Sequence, residues 1–325
     1  MRDNLFTCFM SIVLCFVTMP FVPQARAAYP DKPIEFATHG GVGGGSDLYA
    51  RTVAQLLEKE GIVKQKIRVV NRTGGSGTTC MDYIAARKGD PYLLGIVSVA
   101  PLNTVIRKIS TMRYEDLTLI ALTTLDPNLI FARYDAPYNN IKELVAESRK
   151  SKREPNLALG SIGGMEQISV HRMCKATGMA LNMISFKSGG GGAIALLGGH
   201  ADLSVNNYSE MMGHVDAKKV KPLGVMTEKR HPLLPNVPTF REQGFDVLGV
   251  NQRGFWAPQD FPPAAVKYWE DAFAKLMKTK AYKDYNDSTF GIQAFLTGKE
   301  LKVYFDQSVA ATAQDLKELN LFENK

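Results

Sequence analysis

The chain has 325 residues, 45% hydrophobic and 22% charged, with a formal net charge of +7. That length suits about two domains of roughly 150 residues each, with a core that needs no disulfide staples. No run of like charges is long enough to mark a nucleic-acid tract, and the mild positive excess favours anionic ligands.

Arg2 supplies a basic start, an uncharged apolar run extends from Leu5 to Val22, and Ala25-Arg26-Ala27 has the form of a cleavage site. Residues 1–27 are therefore expected to be a secretory signal peptide cleaved near Ala27. Cys15 follows Ile12-Val13-Leu14, without the small residue that a lipoprotein signal needs. No later run approaches the ~20 apolar residues of a spanning helix. Cys8 and Cys15 would leave with the leader, so that Cys80 and Cys174 remain.

The mature chain begins with an extended polar lead, Tyr29 to Pro33, and a strand at Ile34–Ala37. A glycine-rich loop, His39 to Asp47, precedes a helix marked by Leu48, Val53, Leu56 and Leu57 and closed by Gly61. Ser46 or Asp47 is the natural N-cap. The unit recurs as a strand at Lys66–Val70, a loop from Asn71 to Thr78 and a helix running to about Lys88. Strands follow at Tyr92–Val97, Leu119–Leu122 and Asn128–Phe131, then a helix at Ile141–Ser151. A strand at Asn156–Leu159, a loop at Gly160–Gly164 and a helix at Glu166–Thr177 form a third unit. Met183–Phe186, the loop Ser188–Gly192 and a helix at Ala193–Leu197 form a fourth, before a strand at Leu203–Asn206. Amphipathic helices cover about Pro263–Thr279 and Gly298–Leu319. Alternating strands and helices imply an α/β fold with largely parallel sheets. No low-complexity linker separates two halves, which favours lobes between which the chain crosses and returns.

Glycine loops before helices expose backbone N–H groups at the positive end of a helix dipole, which makes anion sites. The motifs of common enzymes fail at named residues. No G-x-x-x-x-G-K-[ST] string occurs, and Ser46 stands where the third glycine of a dinucleotide fingerprint belongs. Thr78 replaces the last glycine of a nucleophile elbow after Gly74-Gly75-Ser76-Gly77. His171 and Cys174, three apart on a helix, do not make a zinc site. No cofactor is implied. Trp256, before Ala257-Pro258, reads as a core anchor.

At this point the residues resemble a known family. Tyr29-Pro30-x-Lys32-Pro33-Ile34, Gly43-Gly44-Gly45-Ser46-Asp47-x-x-Ala50-Arg51 and Val70-Asn71-Arg72-x-Gly74-Gly75-Ser76-Gly77 are similar to segments of the Bug-type periplasmic solute receptors of tripartite tricarboxylate transporters. Asp90-Pro91-Tyr92-Leu93-Leu94, Leu196-Leu197-Gly198-Gly199-x-x-Asp202 and Pro235-Asn236-Val237-Pro238-Thr239-x-x-Glu242-x-Gly244 follow in the family's order. The resemblance covers essentially the whole mature chain. It implies a Venus-flytrap fold, with lobe 1 at 28–127 and 248–325 and lobe 2 at 128–247. It implies a periplasmic receptor that binds a carboxylate between the lobes and delivers it to a membrane permease; a monomer is expected.

By the matching positions, the contacts are expected from Gly44, Gly45, Ser46 and Asp47 on one side. Ser161, Gly163, Gly164 and Met165 would face them, with Phe186 and Asn206 nearby. Helix capping is the competing role for Asp47, and core packing for Phe186. Alternation does not decide which of Asn206 and Asn207 faces the cleft. Two positions depart from the family pattern: Val42, near the usual proline, and Glu166, near a usual serine. Three roles are open to Glu166: to repel a carboxylate, to contact a cationic or hydroxyl group, or to cap its helix as an acid near the N-terminus, the last being the favoured one. A bond between Cys80 and Cys174 would clamp the two lobes, so two free, buried thiols are expected. The rival readings are a secreted α/β enzyme working through Glu166 or His39, and a ligand sensor for a signalling partner.

Overall fold

A computed structural model describes residues 29–160, 162–186 and 188–321. The expected signal peptide and Ser161 lie outside the described residues.

Ile34–Thr38 (β1), Gly45–Lys59 (α1), Ile67–Asn71 (β2), Thr78–Ala85 (α2), Leu93–Ile96 (β3) and Val99–Ile106 (α3) alternate along the first part of the chain. β1 lies between β2 and β3, parallel to both. α1 buries Tyr49, Val53 and Leu57, spaced by four, against this sheet. Leu48, read from the sequence as part of that face, is 40% exposed, and Tyr49 takes its place.

Thr118–Arg133 (β4) is one strand of 16 residues where two short ones were expected. The polar break that suggested two strands is buried and partnered instead. Thr123 shares a hydrogen bond of 2.5 Å with the Tyr49 hydroxyl, and Thr124 one of 2.7 Å with that of Tyr282. Pro127 stands where β4 changes partners, a position that tolerates a missing N–H.

Ile141–Ser151 (α4), Asn156–Leu159 (β5), Met165–Thr177 (α5), Asn182–Ser185 (β6), Gly189–Leu197 (α6), Leu203–Asn207 (β7), Tyr208–Asp216 (α7) and Val220–Val225 (β8) follow. The chain then returns through Val250–Ala257 (β9), Pro263–Leu276 (α8), Lys280–Thr289 (α9), Ile292–Leu296 (β10) and Gly298–Glu318 (α10). The expected loop Ser188–Gly192 is largely helix: α6 starts at Gly189, with Ser188 as a cap that accepts from the Gly191 amide at 3.2 Å.

The first half of β4 pairs antiparallel with β9 and β10, and its second half antiparallel with β7 and β8. β5 lies between β6 and β7, parallel to both. The sheets are therefore mixed, not largely parallel, because β4, β8, β9 and β10 run against their neighbours. Each half of β4 carries its own lobe and its own core. Phe36, Tyr49, Phe255, Trp269 and Phe273 fill one, with Phe255 stacked on Phe273 at 4.3 Å. Ile130, Leu157, Val170, Leu203, Leu223 and Phe240 fill the other. Trp256 is 1% exposed and anchors a cluster with Cys80, Met81 and Ile84. Cys80 is buried, Cys174 is only partly buried, and both are free thiols. Among the described residues, no helix is long and apolar enough to cross a membrane.

Candidate ligand-binding site

Strands β1, β2, β3, β5, β6 and β7 each lead into the helix that follows, α1, α2, α3, α5, α6 and α7. The helix starts gather around one cavity of about 560 Å³. Its lining includes the N-caps Gly44 of α1, Gly77 of α2, Ser98 of α3, Ser188 of α6 and Asn207 of α7. Glu166, from the first turn of α5, completes the set. Ligands of open α/β sheets bind in this place, beyond the carboxyl ends of the strands.

The floor is built on Arg253 of β9, which is 4% exposed. Its Nε and Nη2 donate to Asp126 Oδ2 at 3.1 and 2.8 Å. Its Nη1 donates to Ser46 Oγ at 2.8 Å, and its Nη2 also to Asn207 Oδ1 at 3.1 Å. One guanidinium thus ties β9, β4, α1 and the end of β7 together. Burial opposes the Arg253 charge, but the Asp126 carboxylate more than offsets it. Burial pushes Asp126 up to about 6, against the pull of the Arg253 charge.

Glu210 reaches into the same cavity. Asn207-Tyr208-Ser209-Glu210 has the spacing of a capping box, yet neither side chain caps α7. Asn207 Nδ2 instead donates to the carbonyls of Asp126 and Pro127. Glu210 Oε1 accepts from the Gly45 amide at 3.2 Å, and Oε2 from Asn206 Nδ2 at 3.0 Å. Close approach explains two glycines here. A Cβ on Gly45 would lie 2.8 Å from Arg253 Nη2, and one on Gly189 would overlap the Glu210 carboxylate.

Glu166 lines the cavity, and among the described residues its carboxylate has no hydrogen-bond partner beyond its own backbone amide. It stands in the first turn of α5, as expected of an acid at a helix N-terminus, and the neighbouring Gln167 Oε1 accepts from the Gly163 amide at 2.6 Å. Burial raises Glu166 to about 7, helped by the nearby charge of Glu210. His39 also lines the cavity; burial and then the Arg253 charge lower it to about 3, so its ring is neutral.

Gly44, Gly45, Ser46 and Phe186 of the expected contacts line the cavity. Phe186 packs on Ala158, Ala195 and Ala201 as well, so packing and lining coexist. Asp47 lies behind the loop. It accepts from the Gly43 amide at 2.9 Å and from Asn71 Nδ2 at 2.7 Å, and pairs with Arg51 at 2.9 Å. Neither Ser46 nor Asp47 is the N-cap of α1, which is Gly44. Gly163, Gly164 and Met165 are not among the lining residues. Asn206 supports Glu210, while Asn207 faces the cavity.

Ser98, Glu210, Asn251 and Arg253 were not singled out from the sequence. Asn251 is 3% exposed and lines the cavity, with a long contact of 3.5 Å from its Nδ2 to Asn128 Oδ1. Arg253 had one visible signal: it is the lone charge in an otherwise uncharged segment, Val250 to Ala257.

Comparison with known proteins agrees with this architecture. Protein BugT of Bordetella pertussis is 27% identical over 227 residues, covering 69% of each chain. The structure of R. palustris Rpa4515 with adipate superposes with a TM-score of 0.82 at 20% identity, covering 89% of this chain and 97% of that one. MatC from Rhodopseudomonas palustris with bound malate gives a TM-score of 0.75 at 20% identity, covering 89% and 99%. A family profile described as "Tripartite tricarboxylate transporter family receptor" matches residues 49–318. The chain, with its two α/β lobes and the cleft between them, belongs to this family of solute-binding receptors, which are not enzymes.

Proposed function

We propose that the protein is a periplasmic receptor that captures a small carboxylated anion and delivers it to the permease of a tripartite tricarboxylate transporter. The convergence of helix N-termini from α1, α2, α3, α5, α6 and α7 on one cavity carries this reading. Each exposed helix end favours an anion by about 0.3–1 kcal/mol, and more when partly buried. Micromolar affinity needs about 8 kcal/mol, which several such ends with their amide hydrogen bonds can supply. The adipate and malate bound by Rpa4515 and MatC support a carboxylate as the ligand class.

Gly44, Gly45, Ser46 and Phe186 touch the ligand directly in this reading. Asp47 and Asn206 hold the groups that do. The handover of β4 at Pro127 and Asn128 supports lobe limits of 28–127 with 248–325, and 128–247. Ligand then draws the lobes together as a population shift about β4 and β9. The mature protein acts as a monomer after cleavage near Ala27.

A thermal-shift screen of mono-, di- and tricarboxylates tests the ligand class. A true ligand at about 100 times its Kd adds about 2.7 kcal/mol of stability. A screen in which sugars or metal ions stabilise the protein and carboxylates do not would overturn the reading.

A further inference from the structure

An anion site built from helix ends has no evident need for acids in its walls, yet Glu210 and Glu166 both stand there. Glu210 changes the site most. The Gly45 amide, the first free donor of α1, is already taken by Glu210 Oε1 at 3.2 Å. Asn206 Nδ2 fixes the other oxygen at 3.0 Å, and the lack of a side chain on Gly189 leaves room for the carboxylate. The protein's own carboxylate therefore occupies the place that the α1 terminus would offer a ligand carboxylate. Arg253 does not restore the balance, because Asp126 pairs with it. Glu166 faces the same cavity with no other partner for its carboxylate among the described residues. A ligand with a carboxylate at both ends would press one of them against this acidic wall.

The cavity also keeps an anion-binding wall. Ser98 is 4% exposed and lines the cavity, and its hydroxyl neither caps α3 nor meets another described partner. The loop from Gly74 to Gly77 lines the same cavity; its Gly77 amide donates to the Gly74 carbonyl at 2.9 Å, while the amides of Gly74, Gly75 and Ser76 meet no partner among the described residues. These donors are left for an acceptor group of the ligand.

We infer that the ligand is an ammonium-bearing carboxylate, its carboxylate on Ser98 and the Gly74–Gly77 loop and its ammonium group between Glu210 and Glu166. This inference rests on the carboxylate reading above and narrows it to a zwitterion.

The test is calorimetric titration of the mature protein with length-matched probes of two to five methylenes: linear dicarboxylates, ω-amino carboxylates and diamines. At one or more lengths the ω-amino carboxylate should bind at least about tenfold more tightly than its dicarboxylate partner. Glu210→Gln and Glu166→Gln, each checked for a native unfolding transition, should narrow or reverse that preference. Dicarboxylates that bind the wild type as tightly as the amino acids, or more tightly, would overturn the zwitterion assignment and leave the carboxylate reading standing. Diamines that bind while neither carboxylate series does would overturn both. The wild-type comparison decides the matter even where a variant fails to fold.

Discussion

Glu210 on α7 accepts a hydrogen bond from the Gly45 amide at the start of α1, so a protein carboxylate in one lobe rests on a helix terminus in the other. A free helix end is a natural place for an anion, and here the chain supplies its own. The contact joins the two walls of the cleft. Glu210 thus bears on both ligand selection and lobe closure.

Substitution of Gly189 tests how tightly that carboxylate is held. A Cβ there would overlap Glu210, so Gly189→Ala should cost about 1–3 kcal/mol of stability in urea unfolding. The cost should shrink in a Glu210→Ser background, which removes the obstructing group. An unchanged cost in both backgrounds would place the strain elsewhere.

Arg253 and Asp126 form a pair whose side chains are 5% and 11% exposed. Removing one partner strands the other, so Arg253→Met or Asp126→Asn should lose about 3–5 kcal/mol. The double variant Arg253→Met/Asp126→Leu should recover much of that loss, because it leaves no uncompensated charge. Denaturant midpoints of the three variants measure this directly.

Glu166 gives stability a pH dependence of known sign. Burial raises its folded value to about 7 from an ordinary 4.5, so between these values the native state holds a proton that the unfolded chain has released. Stability therefore falls as pH rises from about 4.5 to 7. The shift corresponds to a loss on the order of 3 kcal/mol. Asp126 acts in the same direction up to about 6. His39 opposes both, since its lowered value makes stability fall as pH drops below about 6.5. Comparison of wild type with Glu166→Gln isolates the one group. The variant's advantage should grow from pH 4.5 to 7 and then level off, and a flat difference would contradict the assignment.

The glycine loops and the helices they start were readable because Gly, Ser and a period near 3.6 mark them locally. The Ser188–Gly192 run misled: glycine has a poor intrinsic preference for helix, but the Ser188 cap and close packing of α6 on β7 outweigh it. β4 misled for a related reason. Its threonines, Asp126 and Pro127 look like a break until their partners are known, and those partners, Tyr282 and Arg253, lie more than a hundred residues onward. The acidic wall was half legible. Glu166 stood out beside its loop, whereas nothing local marked Glu210, and only the meeting of the two lobes sets it on Gly45.

The central claim is that the cavity is a carboxylate site, and titration of the mature protein with and without Ser98→Ala tests it most directly. At least one small carboxylate, whether or not it also carries an ammonium group, should bind with one-to-one stoichiometry. Ser98→Ala should weaken that binding by about tenfold or more, the order of one charge-assisted hydrogen bond, while changing stability by less than about 1 kcal/mol. Absence of carboxylate binding to the folded wild-type protein, or binding indifferent to Ser98, would contradict the account.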